Sequence, residues 1–476
     1  MFRNALTNVA AAAVRGTTSS SSSRAPIAAR ALLLNQTQAP RAAALLSTSA
    51  SASADIKADD LPNQSTFSPD ALYTHEHRMT KFSKFDWEDP FAMQSTLLTE
   101  DEIAIQETAR QFAQDVLAPK VKEMYRNESW DPEILPALGE VGLLGVTIDG
   151  YGCAGVSNVA YGLVAREIEK VDSGFRSIMS VQSSLAMGAI NQFGSDAQKE
   201  KYLPRMAKGE LVGCFGLTEP NHGSDPSSME TVAKDNGDGT WTLNGSKTWI
   251  SSSPYSDVFV IWARCLADNK VRGFVLDKGT QGLSAPPIKH KMMLRASVTG
   301  SIFLDNVTVK TSESLLPHLK PGLGGPFECL NSARYGISWG SIGALEACIS
   351  EARQYALDRH QFKKPLAGFQ LIQKTLVDAH SAAAFGLLAS LQVGRLKDQG
   401  QWCPEMVSMV KRNNCGAAVT HARLLMEIFG GNAASDEYAI SRHAANLHVV
   451  NTYEGTSNIH ALIVGRSICD GVQAFV

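Results

Sequence analysis

The feature that most constrains this chain is a change of residue pattern in its middle, where short β-rich runs replace long helical sequence. The runs at 258–262, 273–276 and 302–304 are rich in β-branched and aromatic residues, which is typical of strands. The Asn-Gly-Asp-Gly sequence at 236–239 is a hairpin-turn signal. The region at about 211–314 is therefore predicted to form a small antiparallel β domain.

Helical patterns flank this region on both sides. Thr99 and Glu102 have capping-box spacing, and a helical repeat of apolar residues follows, which we expect to end at Pro119. After Pro326, long alanine-rich segments suit a helical bundle. These segments are 327–358, 370–397, 404–429, 436–449 and a last helix from about Thr456.

A chain of 476 residues exceeds the usual size of one hydrophobic core, so several units are expected. The sequence predicts a mostly α fold with a β domain. Its boundaries are a leader at 1–54, an N-terminal helical domain at 80–210, a middle antiparallel β domain at 211–318 and a C-terminal helical domain at 319–476.

The first fifty-odd residues have the composition of an organellar targeting segment. They are rich in arginine, serine and alanine, and the first acidic residue is Asp55. We expect a mitochondrial transit peptide and a matrix location; a disordered tail is the alternative. The 8 cysteines are scattered without a CxxC pair, which suits a reducing compartment and predicts neither a disulfide framework nor a metal site.

Several functional classes are disfavoured. A net charge of -3 gives no overall attraction to nucleic acid, and no apolar run reaches the roughly 20 residues of a membrane span. No GxGxxG sequence follows a predicted strand, and the chain lacks GxxxxGK[ST] and HExxH sequences. We expect no nucleic-acid partner, no integral membrane segment, no metal and no cofactor bound through a dinucleotide fold.

Four segments together identify a family resemblance. They are 215–225 (FGLTEPNHGSD), 243–251 (LNGSKTWIS), 356–362 (ALDRHQF) with Gln370, and 451–456 (NTYEGT); Gly-Gly-Asn at 430–432 is a weaker fifth. In this order the chain resembles the acyl-CoA dehydrogenase family over nearly everything after about residue 80. The resemblance implies a helical–β–helical fold, FAD, a homotetramer and electron-transfer flavoprotein as the electron acceptor.

The resemblance also implies a set of cofactor residues. Thr218 would lie near flavin N5, Trp249 and Ser251 beside the ring system, and Arg359 at the nucleotide half, across a subunit boundary. Gly216 and Gly223 would permit close backbone approach. The full implied set is Phe215, Leu217, Thr218, Gly223, Ser224, Trp249, Ile250, Ser251, Arg359, Gln370, Gly430, Gly431, Thr456, Ser457 and Asn458.

Two of these assignments have ordinary alternatives, because Trp249 could be a core aromatic and Arg359 a surface helix residue. The chain departs from the family pattern at His222 and Ala433, where small residues and glycine are usual.

Glu454 is the candidate catalytic base. Oxidation of a thioester between Cα and Cβ requires a positioned base for the weakly acidic α-proton, and burial raises the pKa of a carboxyl toward working pH. The resemblance places this base in the Tyr-Glu-Gly-Thr turn, where Gly455 admits the substrate. The alternative is that Glu454 N-caps the last helix or places a negative charge at its start.

The acyl group is indicated by Arg176 and Ser177. A cation in a pocket that is otherwise apolar suits a dicarboxylic acyl chain, and this pair resembles the glutaryl-CoA branch of the family, which oxidises and decarboxylates its substrate to crotonyl-CoA. The alternative is a salt bridge from Arg176 to Glu167 or Glu169. The implied CoA contacts are Phe327, Leu330, Asn331, Arg334 and Ser224.

Three rival functions remain open at this stage: a short- or branched-chain acyl-CoA dehydrogenase, an acyl-CoA oxidase, and an FAD-containing scaffold without turnover. Arg176 disfavours the first, and an oxidase would be longer. The presence of Glu454 disfavours the scaffold.

Overall fold

The computed structural model describes residues 84–472. The predicted transit peptide lies outside these residues. Eight helices lead into the sheet: α1 (Met93–Thr96), α2 (Glu100–Phe112), α3 (Ala118–Asn127), α4 (Ile134–Glu140), α5 (Asn158–Val171), α6 (Ser173–Ser180), α7 (Gly188–Phe193) and α8 (Asp196–Ala207). Two π-helical turns, Ala113–Leu117 and Val181–Met187, join α2 to α3 and α6 to α7.

The first long helix begins as predicted and ends later than predicted. The Glu102 amide donates to the Thr99 hydroxyl at 3.2 Å, and the Thr99 amide donates to the Glu102 carboxylate at 3.0 Å, which completes the capping box. Pro119 does not end the helical path. It lies in the first turn of α3, where a proline costs no hydrogen bond, and α3 continues to Asn127.

The sheet contains seven strands: β1 (Gly213–Gly216), β2 (Val232–Asp235), β3 (Thr240–Ser251), β4 (Val258–Cys265), β5 (Val271–Asp277), β6 (Leu283–Ser284) and β7 (Thr299–Lys310). Their order is β1-β4-β2-β3-β7-β6, with β5 also on β4. The predicted hairpin is confirmed, because Asp235 pairs with Trp241 across the 236–239 turn.

The sheet is mixed rather than purely antiparallel. Both β1 and β2 run parallel to β4, whereas β3, β5, β6 and β7 pair antiparallel with their neighbours. Neither β1 nor β2 is joined to β4 by a tight turn, and parallel pairing requires such longer connections.

The remaining elements are helical apart from one small hairpin. They are α9 (Thr311–Ser314), α10 (Gly324–Asp358), β8 (His360–Gln361), β9 (Lys364–Pro365), α11 (Gln370–Asp398), α12 (Pro404–Phe429), α13 (Ile440–Thr452) and α14 (Ser457–Ile468). The predicted long segments match α10 to α14 closely. The helical–β–helical fold is confirmed.

Helix α10 positions the site because it packs against helices from both ends of the chain. Trp339 of α10 is fully buried in one core with Leu163 of α5 and Leu425 of α12. Glycine on α5 makes this contact possible, since a Cβ at Gly162 would lie 2.4 Å from the Trp339 indole nitrogen.

Helix α11 is the one helix of the described residues that is long and apolar enough to cross a membrane by length and composition alone. This is weak evidence, because core helices of soluble proteins pass the same test. It packs on α10 and α12 but leaves Leu371, Val377 and Phe385 largely exposed.

Candidate active site

Glu454 lies in the turn between α13 and α14. Its φ is +55°, in the left-handed region that non-glycine residues rarely adopt, and Gly455 follows with φ +101°. The cap of α14 is Thr456, whose hydroxyl accepts from the Ile459 amide at 3.3 Å. The alternative of Glu454 as a helix cap is therefore wrong, and its carboxylate is free for another role.

Two cations hold the backbone of this turn. Arg334 of α10 donates from Nε to the Glu454 carbonyl at 2.7 Å. Lys411 of α12 donates from Nζ to the Gly455 carbonyl at 2.9 Å and to the Asn451 carbonyl at 3.2 Å. The unusual backbone conformation is thus fixed by hydrogen bonds from two packed helices.

The Glu454 carboxylate itself is inaccessible to solvent at Oε2, and this atom has no hydrogen-bond partner among the described residues. Burial raises the pKa of Glu454 to about 7, against the charges of Arg176, Arg334 and Lys411, which lower it. A carboxyl with this pKa can accept a proton near neutral pH and later return it.

Arg176 of α6 is 1% exposed and reaches the neighbour of the base. Its Nε donates to Glu169 Oε2 at 2.6 Å, and its Nη2 donates to the Tyr453 hydroxyl. Burial by itself lowers the pKa of the Arg176 guanidinium. The ion pair with Glu169 has the larger effect and raises that pKa. Ser177 is buried beside it.

The Arg176 ion pair is one of the two alternatives that the sequence left open. Glu169 is the partner, whereas Glu167 accepts from Gln106 at 2.7 Å and from Lys170 at 3.2 Å. This pair uses one guanidinium nitrogen, and Tyr453 uses a second. Among the described residues nothing accepts from the third nitrogen, Nη1, so Arg176 keeps donors for another anion.

The predicted cofactor loop is held from beneath by a buried ion pair. Lys247 of β3 donates to Glu219 Oε1 at 2.8 Å and to the Leu217 carbonyl at 3.1 Å. Burial lowers the pKa of Lys247 to about 8, although Glu219 acts in the opposite direction. The Thr248 amide also donates to the Thr218 carbonyl at 2.9 Å. The loop is therefore tied to β3 on both sides of Thr218.

A β-bulge in β3 changes the direction of the Trp249 side chain. Lys247 pairs with Ile302 and Ile250 pairs with Gly300, so β3 carries one extra residue at this point. Trp249 has φ +59° and is 61% exposed. It is not a core aromatic, and a strained backbone that exposes a large aromatic ring fits a surface that a flavin would cover.

The two loop glycines have different roles. A Cβ at Gly223 would meet nothing within 4 Å, so this backbone is open to close approach by a ligand. A Cβ at Gly216 would lie 2.7 Å from the Ile261 side chain. Gly216 therefore serves internal packing, and the expectation of cofactor approach there stays a prediction.

Family comparisons agree with this arrangement. Models of the acyl-CoA dehydrogenase N-terminal, middle and C-terminal domains match residues 99–210, 214–307 and 322–469. The chain belongs to the acyl-CoA dehydrogenase family. As a member, it is an FAD-dependent oxidoreductase acting on a CH–CH bond.

Individual relatives differ in substrate. A crystal structure of glutaryl-CoA dehydrogenase from Mycobacterium smegmatis is 45% identical, covers 83% of this chain and 100% of its own, and has a TM-score of 0.79. A structure of a glutaryl-CoA dehydrogenase from the same organism, in complex with FADH2, is 41% identical, covers 82% of this chain and 100% of its own, and also has a TM-score of 0.79. The short-chain-specific acyl-CoA dehydrogenase of Megasphaera elsdenii is 31% identical over 76% of this chain and 96% of its own.

Within this acyl-CoA dehydrogenase, the predicted CoA helix meets the base. Asn331 Oδ1 accepts from Arg334 Nη1 at 3.0 Å, and Arg334 contacts the Glu454 carbonyl. Phe327 and Leu330 lie on the same helix, the first 36% exposed and the second buried. Ser224 lies exposed on the cofactor loop.

The residues predicted for the nucleotide half of FAD lie elsewhere. Arg359 caps the end of α10, Gln370 begins α11, and Gly430 and Gly431 follow α12; all four are exposed. Among residues 84–472 no hydrogen bond or ion pair joins them to the Glu454 turn. Their exposure fits the prediction of a site completed by another subunit, which stays a prediction.

Ser251 ends the 243–251 motif, and Ser457 and Asn458 follow the 451–456 motif; none of the three is buried. Phe215, Leu217 and Ile250 are buried. His222 lies 3.5 Å from Glu230, and Ala433 is buried. Glu219, His222 and Glu230 are close enough together to share a metal ion, but Glu219 is already engaged by Lys247.

Lys411 and His460 were absent from the prediction, and Glu169 was named only as a possible ion-pair partner of Arg176. Tyr453 was part of a quoted motif, but nothing in the sequence pairs it with Arg176. A Cβ at Gly455 would lie 3.0 Å from His460 Nε2, so this fully buried histidine packs under the turn. The sequence signal that could have pointed to Glu169, Lys411 and His460 is a polar residue within an apolar helical segment.

Proposed function

We propose that this acyl-CoA dehydrogenase oxidises and decarboxylates glutaryl-CoA to crotonyl-CoA and CO2. The observation that carries the proposal is the position of the buried Arg176. Its Nη2 donates to Tyr453, the residue before the base, and its Nη1 has no acceptor among the described residues. A buried guanidinium with free N–H groups suits a carboxylate at the distal end of an acyl chain. The 45% identity to a glutaryl-CoA dehydrogenase supports the same substrate.

The base would act twice. Glu454 first accepts the α-proton of glutaryl-CoA, and FAD when bound accepts the hydride from Cβ. The product, glutaconyl-CoA, has its double bond conjugated to the thioester.

The bond to the distal carboxyl group then breaks. CO2 leaves, and the electron pair enters a dienolate delocalised onto the thioester oxygen. Protonated Glu454 returns its proton at the γ-carbon, which gives crotonyl-CoA. A pKa of about 7 suits a group that must be base and acid in one cycle.

The carboxylate-binding role of Arg176 has to coexist with its ion pair to Glu169. Both charges are buried, at 1% and 0% exposed, so the pair cancels the charge of Arg176 in part. Substrate binding would then rest on the directed donors of the guanidinium and on Ser177 and Tyr453, rather than on charge alone.

We also propose the wider setting that the family implies. The protein would act in the mitochondrial matrix as a homotetramer, in the degradation of lysine and tryptophan, and pass electrons to electron-transfer flavoprotein. The apolar residues that α11 exposes support a subunit contact, because monomers rarely expose such a surface. Light scattering of the purified protein tests the tetramer.

The proposed reaction is tested by anaerobic mixing of the yellow protein with glutaryl-CoA, with flavin bleaching and released CO2 followed together. Bleaching with CO2 and crotonyl-CoA is expected. Bleaching without CO2 would leave an oxidising enzyme and remove the decarboxylase. Bleaching by butyryl-CoA alone would favour the short-chain activity of the Megasphaera relative.

A further inference from the structure

Lys411 is a buried cation without an anionic partner in the described part of the chain. It lies on α12 with no exposed surface. Within residues 84–472 its Nζ hydrogen-bonds only to two backbone carbonyls, those of Asn451 and Gly455. Burial of an ammonium without a carboxylate is costly, and here burial lowers the pKa of Lys411. Such a group calls for a reason beyond stability.

The two carbonyls bracket the base. Asn451 lies three residues before Glu454 and Gly455 one residue after it, so one ammonium ties both ends of the turn to α12. Arg334 ties the carbonyl between them to α10. Together they restrain a backbone whose φ of +55° is unfavourable for Glu454, while Gly455 at +101° adopts a conformation that glycine allows.

We propose that Lys411 is a positioning residue that fixes the Glu454 turn and aims its carboxylate at the α-carbon of the substrate. This deepens the proposed function and rests on Glu454 being its base. The geometry supports this role because Lys411 donates to backbone carbonyls and not to the Glu454 carboxylate. The position of the base is thereby fixed while its carboxylate remains free to accept a proton.

Lys411 also contributes charge to the site. Other titratable groups face Glu454 from the surrounding helices: Tyr161 from α5, Arg176 from α6, Arg334 from α10 and His460 from α14. Burial lowers the pKa of His460 to about 3, so it stays neutral at working pH. Loss of the Lys411 charge would therefore raise the pKa of Glu454.

The test uses the FAD-loaded protein with Lys411→Met, which removes charge and donors, and Lys411→Gln, which keeps an amide donor. The matched control is Lys291→Met, which removes a part-buried lysine that donates to the Leu294 carbonyl at 3.1 Å and to the Thr299 hydroxyl at 3.0 Å, away from the base. Flavin reduction by glutaryl-CoA is followed from pH 5.5 to 9, with FAD content and thermal stability measured beside it.

We expect Lys411→Met to slow flavin reduction about 100-fold and Lys411→Gln less. In both, the acid limb of the pH profile should move to higher pH by about one pH unit, because a neighbouring cation is lost. Lys291→Met should change neither. An unmoved acid limb with a wild-type rate in either Lys411 variant would overturn the proposal. Loss of FAD in both variants would also overturn it, since Lys411 would then be a structural residue.

If the wild-type protein bleaches with butyryl-CoA and not with glutaryl-CoA, the substrate proposal fails, and the same Lys411 series is run with butyryl-CoA. The base is required for either substrate, so the positioning role is still decided by the pH profile.

Discussion

Removal of Arg176 separates its two roles, partner of Glu169 and ligand of a substrate carboxylate. The substitution Arg176→Met keeps an unbranched apolar side chain and removes the guanidinium and its charge. It leaves the Glu169 carboxylate buried without its cation, since both side chains are almost completely inaccessible. Breaking a buried ion pair on one side costs about 3–5 kcal/mol, so we expect a clearly less stable protein.

The double variant Glu169→Gln with Arg176→Met removes both charges. Replacing a buried ion pair by neutral groups of similar size is often neutral for stability, so most of the lost stability should return. Activity toward glutaryl-CoA should not return. Two hydrogen bonds from a guanidinium to a carboxylate contribute about 3 kcal/mol together, which corresponds to about a 100-fold loss in kcat/KM.

The assay compares glutaryl-CoA with butyryl-CoA, which lacks the distal carboxylate. Stability is followed by urea unfolding and activity by flavin bleaching. We expect butyryl-CoA oxidation in the double variant to stay within about threefold of wild type, and glutaryl-CoA oxidation to fall about 100-fold. If the double variant recovers both activities equally, Arg176 is only the partner of Glu169, and the argument for a dicarboxylic substrate is refuted.

Three further outcomes are expected. Glu454→Gln should keep FAD bound and nearly abolish flavin reduction by any acyl-CoA, as measured by anaerobic bleaching; retained activity would remove Glu454 as the base. In the wild type, kcat/KM should rise with pH through about 7 and fall about tenfold per pH unit below it, because burial raises the pKa of Glu454 and only the ionised form accepts a proton. Lys247→Met should leave Glu219 unpaired beneath the cofactor loop and lower the FAD bound per subunit, whereas the surface variant Lys278→Met should leave it unchanged; equal FAD content in both would show that the ion pair does not support the loop.

Sequence reasoning succeeded where the signal is local. Helix spacing gave α10 to α14 within a few residues, and the capping box at Thr99 marked the start of α2. It failed at Pro119, because a proline is compatible with the first turn of a new helix as well as with the end of an old one. The bulge that exposes Trp249 depends on the pairing register with β7, which no local pattern shows.

The sequence predicted which residues belong to the site but not which of them contact one another. Arg334 and Glu454 were both named, but their hydrogen bond joins positions 120 residues apart. Lys411 was missed because a lysine in a long helix ordinarily faces solvent, and its burial follows from how α12 packs against the turn. Glu169 was considered only as an alternative to substrate binding, although it is compatible with that role.

The pKa of Glu454 depends on which atoms the neighbouring cations donate to. The buried Glu167 of α5 and the half-buried Glu454 of the 453–455 turn show the difference. Burial raises the pKa of Glu167, but the charges of Lys170 and Arg166 and a hydrogen bond from Gln106 outweigh it and lower the pKa to about 2. Glu454 is also surrounded by three cations, yet its pKa is raised to about 7.

The cause of this difference is that, among residues 84–472, no cation donates directly to the Glu454 carboxylate. Arg334 and Lys411 donate to backbone carbonyls, and Arg176 donates to Glu169 and Tyr453. The charges then act on Glu454 only at a distance, and burial prevails. A substitution that let any of them reach the carboxylate would lower the pKa of Glu454 toward that of Glu167 and weaken it as a base. The positions of the hydrogen bonds, more than the number of charges, therefore keep Glu454 able to take up and return a proton near neutral pH.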